Sequence, residues 1–134
     1  MKTLANAMIT ALETISDKAD VIAAAKRMRE KQIGSLAVVR RGTLMRDREE
    51  RIIGLITETD IIRKAVAEER NLAATTVDMV MSNPMVAVEA SWPLPEAYQM
   101  MKDAGVRHLL VTQHDVVVGL VSLRDLLVHL HEIS

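Results

Sequence analysis

The chain contains one short motif twice. Gly-Leu-Ile-Thr-Glu-Thr-Asp at 54–60 is matched by Gly-Leu-Val-Ser-Leu-Arg-Asp at 119–125, which lies 65 positions later. Upstream of the motif the offset is 73, as the pair Leu36 and Leu109 illustrates, so the first copy carries eight additional residues between 39 and 54. Such a repeat predicts two copies of one supersecondary unit that bury their apolar faces against each other. Related clefts between such copies are common ligand sites.

The composition narrows the class of protein. With 17 basic and 18 acidic residues among 134, the chain lacks the basic excess of proteins that coat nucleic acid. Its one Trp and one Tyr are too few for a base-stacking platform. The absence of cysteine excludes disulfides, zinc-thiolate sites and cysteine nucleophiles. No segment approaches the ~20 apolar residues of a membrane span, and no signal-peptide pattern is present, so we expect a cytoplasmic protein.

Hydrophobic periodicity predicts the same order of elements in both copies. In the first copy we expect strand 14–16, helix 21–31, strands 36–39 and 52–56, and helix 60–70. In the second we expect strand 86–88, helix 95–104, strands 108–112 and 116–121, and helix 124–132. These boundaries divide the chain into a first repeat at 1–70, a linker with a lead-in helix at 71–82, and a second repeat at 83–134.

The repeated motif joins the end of a strand to the start of a helix, where unsatisfied amides attract anions. Thr57 or Ser122 can donate to a phosphate there, and Asp60 or Asp125 can accept from the vicinal diol of a ribose. Thr-x-x-Asp and Ser-x-x-Asp are also the pattern of a capping box, in which the two side chains only satisfy helix-end amides. The residues alone leave both interpretations open.

The insertion at 40–51 is rich in arginine, with five among its twelve residues. It extends the connection between two strands, and its acidic residues make a solvated hairpin tip one interpretation. The other is a basic arm that reaches a partner or a ligand phosphate. No Ser-His-Asp order, catalytic carboxylate pair or phosphate-cradling glycine loop is visible. His129 and His131 are two positions apart on a predicted helix and face different ways, so we expect no metal site.

From Leu4 to Leu130 the chain resembles a pair of cystathionine β-synthase (CBS) domains, called a Bateman module. The resemblance rests on both motifs, on the helix–turn–strand segments 24–39 and 97–111, and on the segment 77–84 before the second repeat. It implies a stand-alone CBS-domain protein of α/β (α+β) class, and members of this size are generally not enzymes. It further implies two tandem β-α-β-β-α repeats that pack through their sheets with pseudo-twofold symmetry.

The resemblance also implies a ligand and the residues that bind it. The family suggests an adenosyl ligand (AMP, ADP, ATP or S-adenosylmethionine) bound in the clefts between repeats, with no obligatory cofactor. The strand residues Ile15 and Val88 would contact the adenine through their backbone. The other candidate residues are Thr57, Asp60, Ser122, Asp125, Gly34, Ser35, Arg107 and His108.

The two copies differ where ligand contacts are expected. Arg107 and His108 stand in the second copy at the positions of Gly34 and Ser35 in the first, and Arg107 can pair with a phosphate. We therefore expect one strong site and one that is weak or empty. The first hypothesis is a regulatory nucleotide sensor that changes its conformation or its homodimer contacts and acts on an effector protein. The alternative is a ligand-free dimerising scaffold with degenerate clefts.

Overall fold

The protein folds into two units, each of which combines pieces from different parts of the chain. The structure, a computed structural model, describes residues 2–10, 12–42, 50–82 and 86–131. One unit is Glu13–Met85, called here the first-repeat unit. The other, the second-repeat unit, consists of Met1–Leu12 together with Val86–Ser134. The first twelve residues therefore belong with the second repeat rather than with the repeat that they precede in the sequence.

The predicted order of elements, strand–helix–strand–strand–helix, is present in both units. The first-repeat unit contains β1 (Thr14–Ser16), α2 (Val21–Lys31), β2 (Ser35–Arg41), β3 (Glu50–Thr57), α3 (Glu58–Ile61), a π-helical turn (Ile62–Val66), a 3₁₀ turn (Leu72–Ala74) and α4 (Val77–Val80). The second-repeat unit contains α1 (Leu4–Ala7), β4 (Ala87–Glu89), α5 (Leu94–Ala104), β5 (His108–Gln113), β6 (Val116–Ser122) and α6 (Leu123–His131). The predicted α/β class is confirmed.

The two sheets have the same topology and register. In each, the short first strand runs parallel to the middle strand, which pairs antiparallel with the third, giving the orders β1-β2-β3 and β4-β5-β6. Ser35 lies opposite Thr57 and His108 opposite Ser122. Both ladders shift register one residue past the pair that contains the motif glycine, at Val38/Val39 and Val111/Thr112. The offsets of 73 and 65 thus apply to the three-dimensional pairing as well as to the sequence.

Each unit is completed by a lead-in segment, residues 3–9 in the second-repeat unit and residues 76–82 in the first-repeat unit. Val77 N donates to Ala19 O at 2.8 Å, and Leu4 N donates to Trp92 O at 3.0 Å, at equivalent positions. At the other end of the segments, Ser82 N donates to Leu55 O and Ile9 N to Leu120 O, both at 2.8 Å. These backbone hydrogen bonds place residues 3–9 in the unit of the second repeat.

The lead-in segments explain why each motif begins with glycine. A Cβ on Gly54 would lie 3.2 Å from Ser82 O, and a Cβ on Gly119 would lie 3.1 Å from Ile9 O and 2.7 Å from the Met8 sulfur. A side chain at either position would push against the backbone that crosses the strand. The two glycines therefore allow a close backbone approach.

The long helices have recognisable ends. The carboxylate of Asp20 accepts from Ala23 N at 2.8 Å and caps α2, and Pro93 precedes α5. Both helices end in a left-handed residue, Gln32 with φ 55° and Gly105 with φ 68°, the usual termination geometry.

The final helices of the two repeats differ from each other and from the sequence prediction. The helix expected at 60–70 begins at Glu58 and becomes a π-helical turn from Ile62 to Val66, whereas α6 is regular from Leu123 to His131. The helix starts two residues earlier than predicted because Thr57 is its N-cap, so Glu58 is the first helical residue.

Most of the insertion lies outside the described residues, but its first arginine is paired within the unit. Arg40 is in β2 and lies opposite Arg51 of β3. Its Nε donates to the Asp17 carboxylate at 2.9 Å, and this carboxylate is buried, with a side chain that is 4% exposed. Arg40 thus neutralises a buried carboxylate of its own unit, and this arginine is not part of a basic arm that reaches a partner or a ligand.

Each unit has its own apolar core. In the first-repeat unit, Leu36 and Ile56 of the sheet pack with α2 and with Val77 of the lead-in helix. In the second-repeat unit, Leu109 and Val121 pack with α5 and with Leu4. Across the described ranges, no helix is both long enough and apolar enough to cross a membrane.

Candidate functional site

The candidate residues gather at one corner in each unit, where the middle strand begins and the third strand runs into the last helix. The first corner is defined by Gly34, Ser35, Thr57 and Asp60. The second corner is defined by Arg107, His108, Ser122 and Asp125. The strand pairing and two backbone bonds, Glu58 N to Gly34 O at 3.0 Å and Leu123 N to Arg107 O at 2.8 Å, hold each corner together.

The motif side chains form a capping box in both corners. Asp60 N donates to Thr57 Oγ1 at 3.1 Å, and Thr57 N donates to Asp60 Oδ2 at 3.0 Å. The equivalent bonds between Asp125 N and Ser122 Oγ and between Ser122 N and Asp125 Oδ2 are 3.1 and 3.2 Å long. The helix-capping interpretation is therefore confirmed, while the ligand contacts of these side chains stay a prediction.

The first corner has two further donors that the sequence interpretation missed. Lys64 Nζ lies 3.0 Å from Asp60 Oδ1, and Ser82 Oγ lies 3.1 Å from Asp60 Oδ2. Lys64 also donates to Val80 O at 3.2 Å. The helical spacing of Asp60 and Lys64 is a signal that was open to sequence reasoning. Ser82 had no such signal, because it reaches Asp60 only through the docking of the lead-in segment.

The second corner has different residues at both of these positions. By the repeat offsets, His129 stands at the position of Lys64 and Ile9 at that of Ser82. Ile9 makes the equivalent backbone bonds to Leu120 but has no side-chain donor. Asp125 is half-buried, whereas Asp60 is only 6% exposed.

The two strand residues predicted to contact the adenine have buried side chains. Ile15 is 9% exposed and pairs with Val38, and Val88 is 5% exposed and pairs with Val111. Their side chains belong to the cores of the two units. β1 and β4 are edge strands of the described sheets. Ala37 N donates to Glu13 O and Leu110 N donates to Val86 O, so the backbone groups of Ile15 and Val88, two residues further on, also face the middle strands. Only the backbone groups of their neighbours in β1 and β4 face outward.

A pocket adjoins each corner, at equivalent positions in the two units. The pocket beside the first corner, of about 490 Å³, is lined by Ala25, Met28, Arg29, Gln32, Ile33, Gly34, Glu58, Ile61 and Ile62. The pocket beside the second corner, of about 330 Å³, is lined by Tyr98, Met101, Lys102, Gly105, Val106, Arg107 and Leu123. Gly34 and Arg107 thus lie on pocket walls, while the motif residues Thr57, Asp60, Ser122 and Asp125 do not line either pocket.

The charges of the two pockets differ because of two positions, Glu58 against Leu123 and Gly34 against Arg107. The first has Arg29 and Glu58, whereas the second has the cations Lys102 and Arg107 and places Leu123 where Glu58 stands. A Cβ on Gly34 would lie 2.7 Å from Glu58 Oε1. The Glu58 carboxylate therefore occupies the space in which the Arg107 side chain begins in the second unit. An anion is attracted to the second pocket and meets a carboxylate in the first.

A metal centre does not emerge from these residues. Within the described parts of the chain, no three His, Asp or Glu side chains come together closely enough to hold a metal ion.

Comparison with known proteins identifies proteins similar over nearly the whole chain. The CBS domain-containing protein YhcV of Bacillus subtilis is 30% identical over 129 residues, which cover 96% of this chain and 86% of that protein. The chain spans about half the length of some other curated relatives that it matches.

Solved structures with the same fold include a CBS-domain protein from Burkholderia ambifaria with a suggested role in signal transduction. It is 34% identical, with a TM-score of 0.79 over 90% of this chain and 83% of that chain. A hexameric CBS-CP12 protein from bloom-forming cyanobacteria is 26% identical, with a TM-score of 0.79 over 95% of this chain and 70% of that one. The model of the CBS domain matches residues 4–67 and again residues 77–132. The chain therefore belongs to the CBS domain family and carries two tandem copies of the domain.

Proposed function

We propose that this CBS-domain pair is a regulatory module that senses an adenosine phosphate, which it binds at the second corner. The observation that carries the proposal is the charge exchange between the two pockets. Arg107 and Lys102 provide two cations in the pocket beside the second corner, whereas Arg29 and Glu58 carry opposite charges in the pocket beside the first. The module has a binding role rather than a catalytic one.

The second corner offers each group that a ribose phosphate needs. Arg107 can form charge-assisted hydrogen bonds to a phosphate, which are stronger than neutral ones. The hydroxyl of Ser122 lies in the same corner, because His108 and Ser122 are opposite each other in the sheet. Asp125 is half-buried and can accept from a diol. The backbone of the edge strand that contains Val88 is available to an adenine.

A thermal-shift screen with AMP, ADP, ATP and S-adenosylmethionine tests the proposal. A ligand that binds only the folded state stabilises it by about 2.7 kcal/mol at 100 times its dissociation constant. We expect a clear rise in Tm with at least one of these four ligands. No rise with any of them at millimolar concentration contradicts the sensor.

A matched pair of arginine substitutions locates the site. Arg107→Ala is expected to weaken binding roughly 10- to 150-fold, the loss expected for a hydrogen bond to a charged group. Arg29→Ala removes a cation from the other pocket and is expected to leave the affinity unchanged. Equal effects of the two substitutions would argue against the second corner as the site.

A second candidate function, assembly through the last helices, is favoured by exposed apolar side chains. Ile62 is 59% exposed and Leu127, at the equivalent position, is 47% exposed. We infer a homodimer in which these helices are covered, and this scaffold role does not depend on a ligand. The hexameric cyanobacterial relative supports assembly by such modules.

Analytical ultracentrifugation measures the assembly. We expect wild type to sediment as a dimer and the double variant Ile62→Ser, Leu127→Ser to sediment as a monomer. Val116→Ser is the control, because this residue is 63% exposed but lies at the start of β6 and not in a last helix. A monomeric wild type, or a dimeric double variant, would exclude this interface.

A further inference from the structure

The carboxylate of Asp60 is already occupied by donors from its own chain. Its Oδ2 accepts from Thr57 N at 3.0 Å and from Ser82 Oγ at 3.1 Å, and its Oδ1 lies 3.0 Å from Lys64 Nζ. A carboxylate has about four acceptor positions. A ribose diol brings two hydroxyl donors but finds only about one acceptor position open, so it can bind Asp60 only by displacing the serine hydroxyl or the ammonium group.

Displacement of these donors would also loosen the lead-in segment. Lys64 reaches from Asp60 to Val80 O at 3.2 Å, and Ser82 is held by its own amide to Leu55 O at 2.8 Å. The side chain of Asp60 is 8% exposed, so its charge is poorly solvated and depends on these partners. A ligand at the first corner would therefore have to compete with interactions that fasten residues 80–82 to the motif.

The equivalent positions of the second corner lack this arrangement. Ile9 has no side-chain donor, and the shorter imidazole of His129 replaces the lysine. Lys64 lies in the π-helical turn that follows α3, whereas the described part of α6 is a regular α-helix. π-Helical turns are often found where a helix serves a specific local role.

We propose that Lys64 and Ser82 are specificity-determining residues that close the first corner to a ribose, so that the chain binds one nucleotide, at the second corner. The inference rests on the proposed function and deepens it, because it assigns the unequal binding to two named side chains. Glu58 excludes the phosphate from the first pocket, and these two residues exclude the diol from Asp60.

Stoichiometry by isothermal titration with AMP and with ATP tests the inference. The test is made in a Glu58→Leu background, because Leu123 stands at this position in the second repeat and the Glu58 carboxylate would otherwise repel the phosphate. We expect one equivalent per chain for wild type and for Glu58→Leu alone, and two for the double variant Lys64→Ala, Ser82→Ala in that background. The conservative pair Lys64→Arg, Ser82→Thr in the same background keeps both donors and should stay at one equivalent. A gain of binding cannot result from partial unfolding, so a merely structural role would not produce it.

A reciprocal variant protects the test against a double variant that fails to fold. Ile9→Ser with His129→Lys places the same two donors beside Asp125 and is expected to weaken wild-type binding at least tenfold. Unchanged affinity in this variant would overturn the inference.

The outcomes separate the inference from the proposed function. One equivalent for wild type and one for a folded alanine double variant contradicts the inference alone, as do two equivalents for wild type. No binding by wild type but one equivalent for the alanine double variant contradicts the second corner as the site and supports closure of the first. No binding by either protein contradicts both.

Discussion

The two motif corners share a backbone but differ in their charges and partners. Both begin with a glycine that lets a lead-in segment cross the strand, and both contain a capping box of nearly equal geometry. In the first, Lys64 and Ser82 surround a buried Asp60, and Glu58 stands beside Gly34. In the second, Arg107 and Lys102 line the pocket and Ile9 replaces the serine. A duplicated fold can thus retain one scaffold while only one copy keeps the groups that favour an anion.

The largest expected effect tests whether the two cores are equivalent. Leu36→Ala and Leu109→Ala should each lower the free energy of unfolding by about 2–5 kcal/mol, the range for a buried leucine, because both side chains are 0% exposed. Urea denaturation followed by circular dichroism measures the loss. Val116→Ala at an exposed position is the control. A loss below about 1 kcal/mol at either leucine would exclude equivalent packing.

The motif glycines should differ in their tolerance of a methyl group. Gly119→Ala is expected to destabilise the protein by about 1–3 kcal/mol, the usual range for overpacking, because a Cβ there meets the Met8 sulfur at 2.7 Å and Ile9 O at 3.1 Å. Gly54→Ala should destabilise the protein less, because the closest atom to a Cβ there is Ser82 O, at 3.2 Å. Thermal unfolding of both variants measures the order. The reverse order would mean that the lead-in segment packs more closely on Gly54 than on Gly119.

The motif aspartates should differ in their contribution to stability. Asp125→Ala keeps the Ser122 cap but removes the carboxylate that accepts from the Ser122 amide, a hydrogen bond that contributes about 1 kcal/mol. Asp60→Ala removes the equivalent hydrogen bond and also leaves Ser82 and Lys64 without their acceptor, so we expect about 1–3 kcal/mol. Chemical denaturation without nucleotide compares them. If Asp125→Ala is the more damaging substitution, the stabilising network at the first corner is not as described.

The smallest effect concerns stability at acid pH. It depends on Asp78 of the first repeat, whose position in the second repeat is taken by Ala5. A hydrogen bond from Thr76 lowers the pKa of Asp78 below its ordinary value of 3.8, and the Lys18 ammonium at 3.1 Å adds to the shift. Since the folded pKa is depressed, this stabilisation is present above about pH 4 and is lost as the pH falls through the lowered folded value. Asp78→Asn should cost about 0.2–1 kcal/mol at pH 7, because Lys18 is largely exposed.

The measurement for this last prediction is stability from pH 7 down to pH 2. The difference between wild type and the Asp78→Asn variant should shrink over the acid end of that range. The second repeat has Ala5 and Ser91 at the positions of Asp78 and Lys18, so Ala5→Asn is a control that should not change the pH dependence. A difference that persists unchanged to pH 2 would rule out the linkage.

Much of the fold was predictable because the same pattern of apolar residues and motifs occurs twice in the sequence. Strand and helix periodicity located the elements to within a few residues, and the two offsets that align the copies recur in the strand pairs of the two sheets. The motif also predicted its own capping boxes, since a cap joins residues three positions apart. The π-helical turn after Ile61 was not predicted, because apolar spacing does not distinguish it from a regular helical turn.

The first corner was harder to predict than the second. The contrast of Arg107 with Gly34 was visible in the aligned copies, but the Glu58 carboxylate beside Gly34 became evident only from the structure. The role of Ser82 depends on its hydrogen bond to Asp60, which lies 22 positions away in the chain. Such a contact forms only after residues 76–82 dock on β3.

By itself, the sequence determined the duplication, the order of elements, the helix caps and the difference between the two copies, because these depend on residues close together in the chain. The tertiary structure decided that residues 3–9 complete the unit of the second repeat. It also decided that Ser82 and Lys64 donate to Asp60. The lead-in segment of the second repeat brings no side-chain donor to Asp125, because Ile9 stands at the position of Ser82. The reason is that a lead-in segment satisfies its backbone and buries its apolar side chains only on a distant strand, and local patterns do not encode that choice.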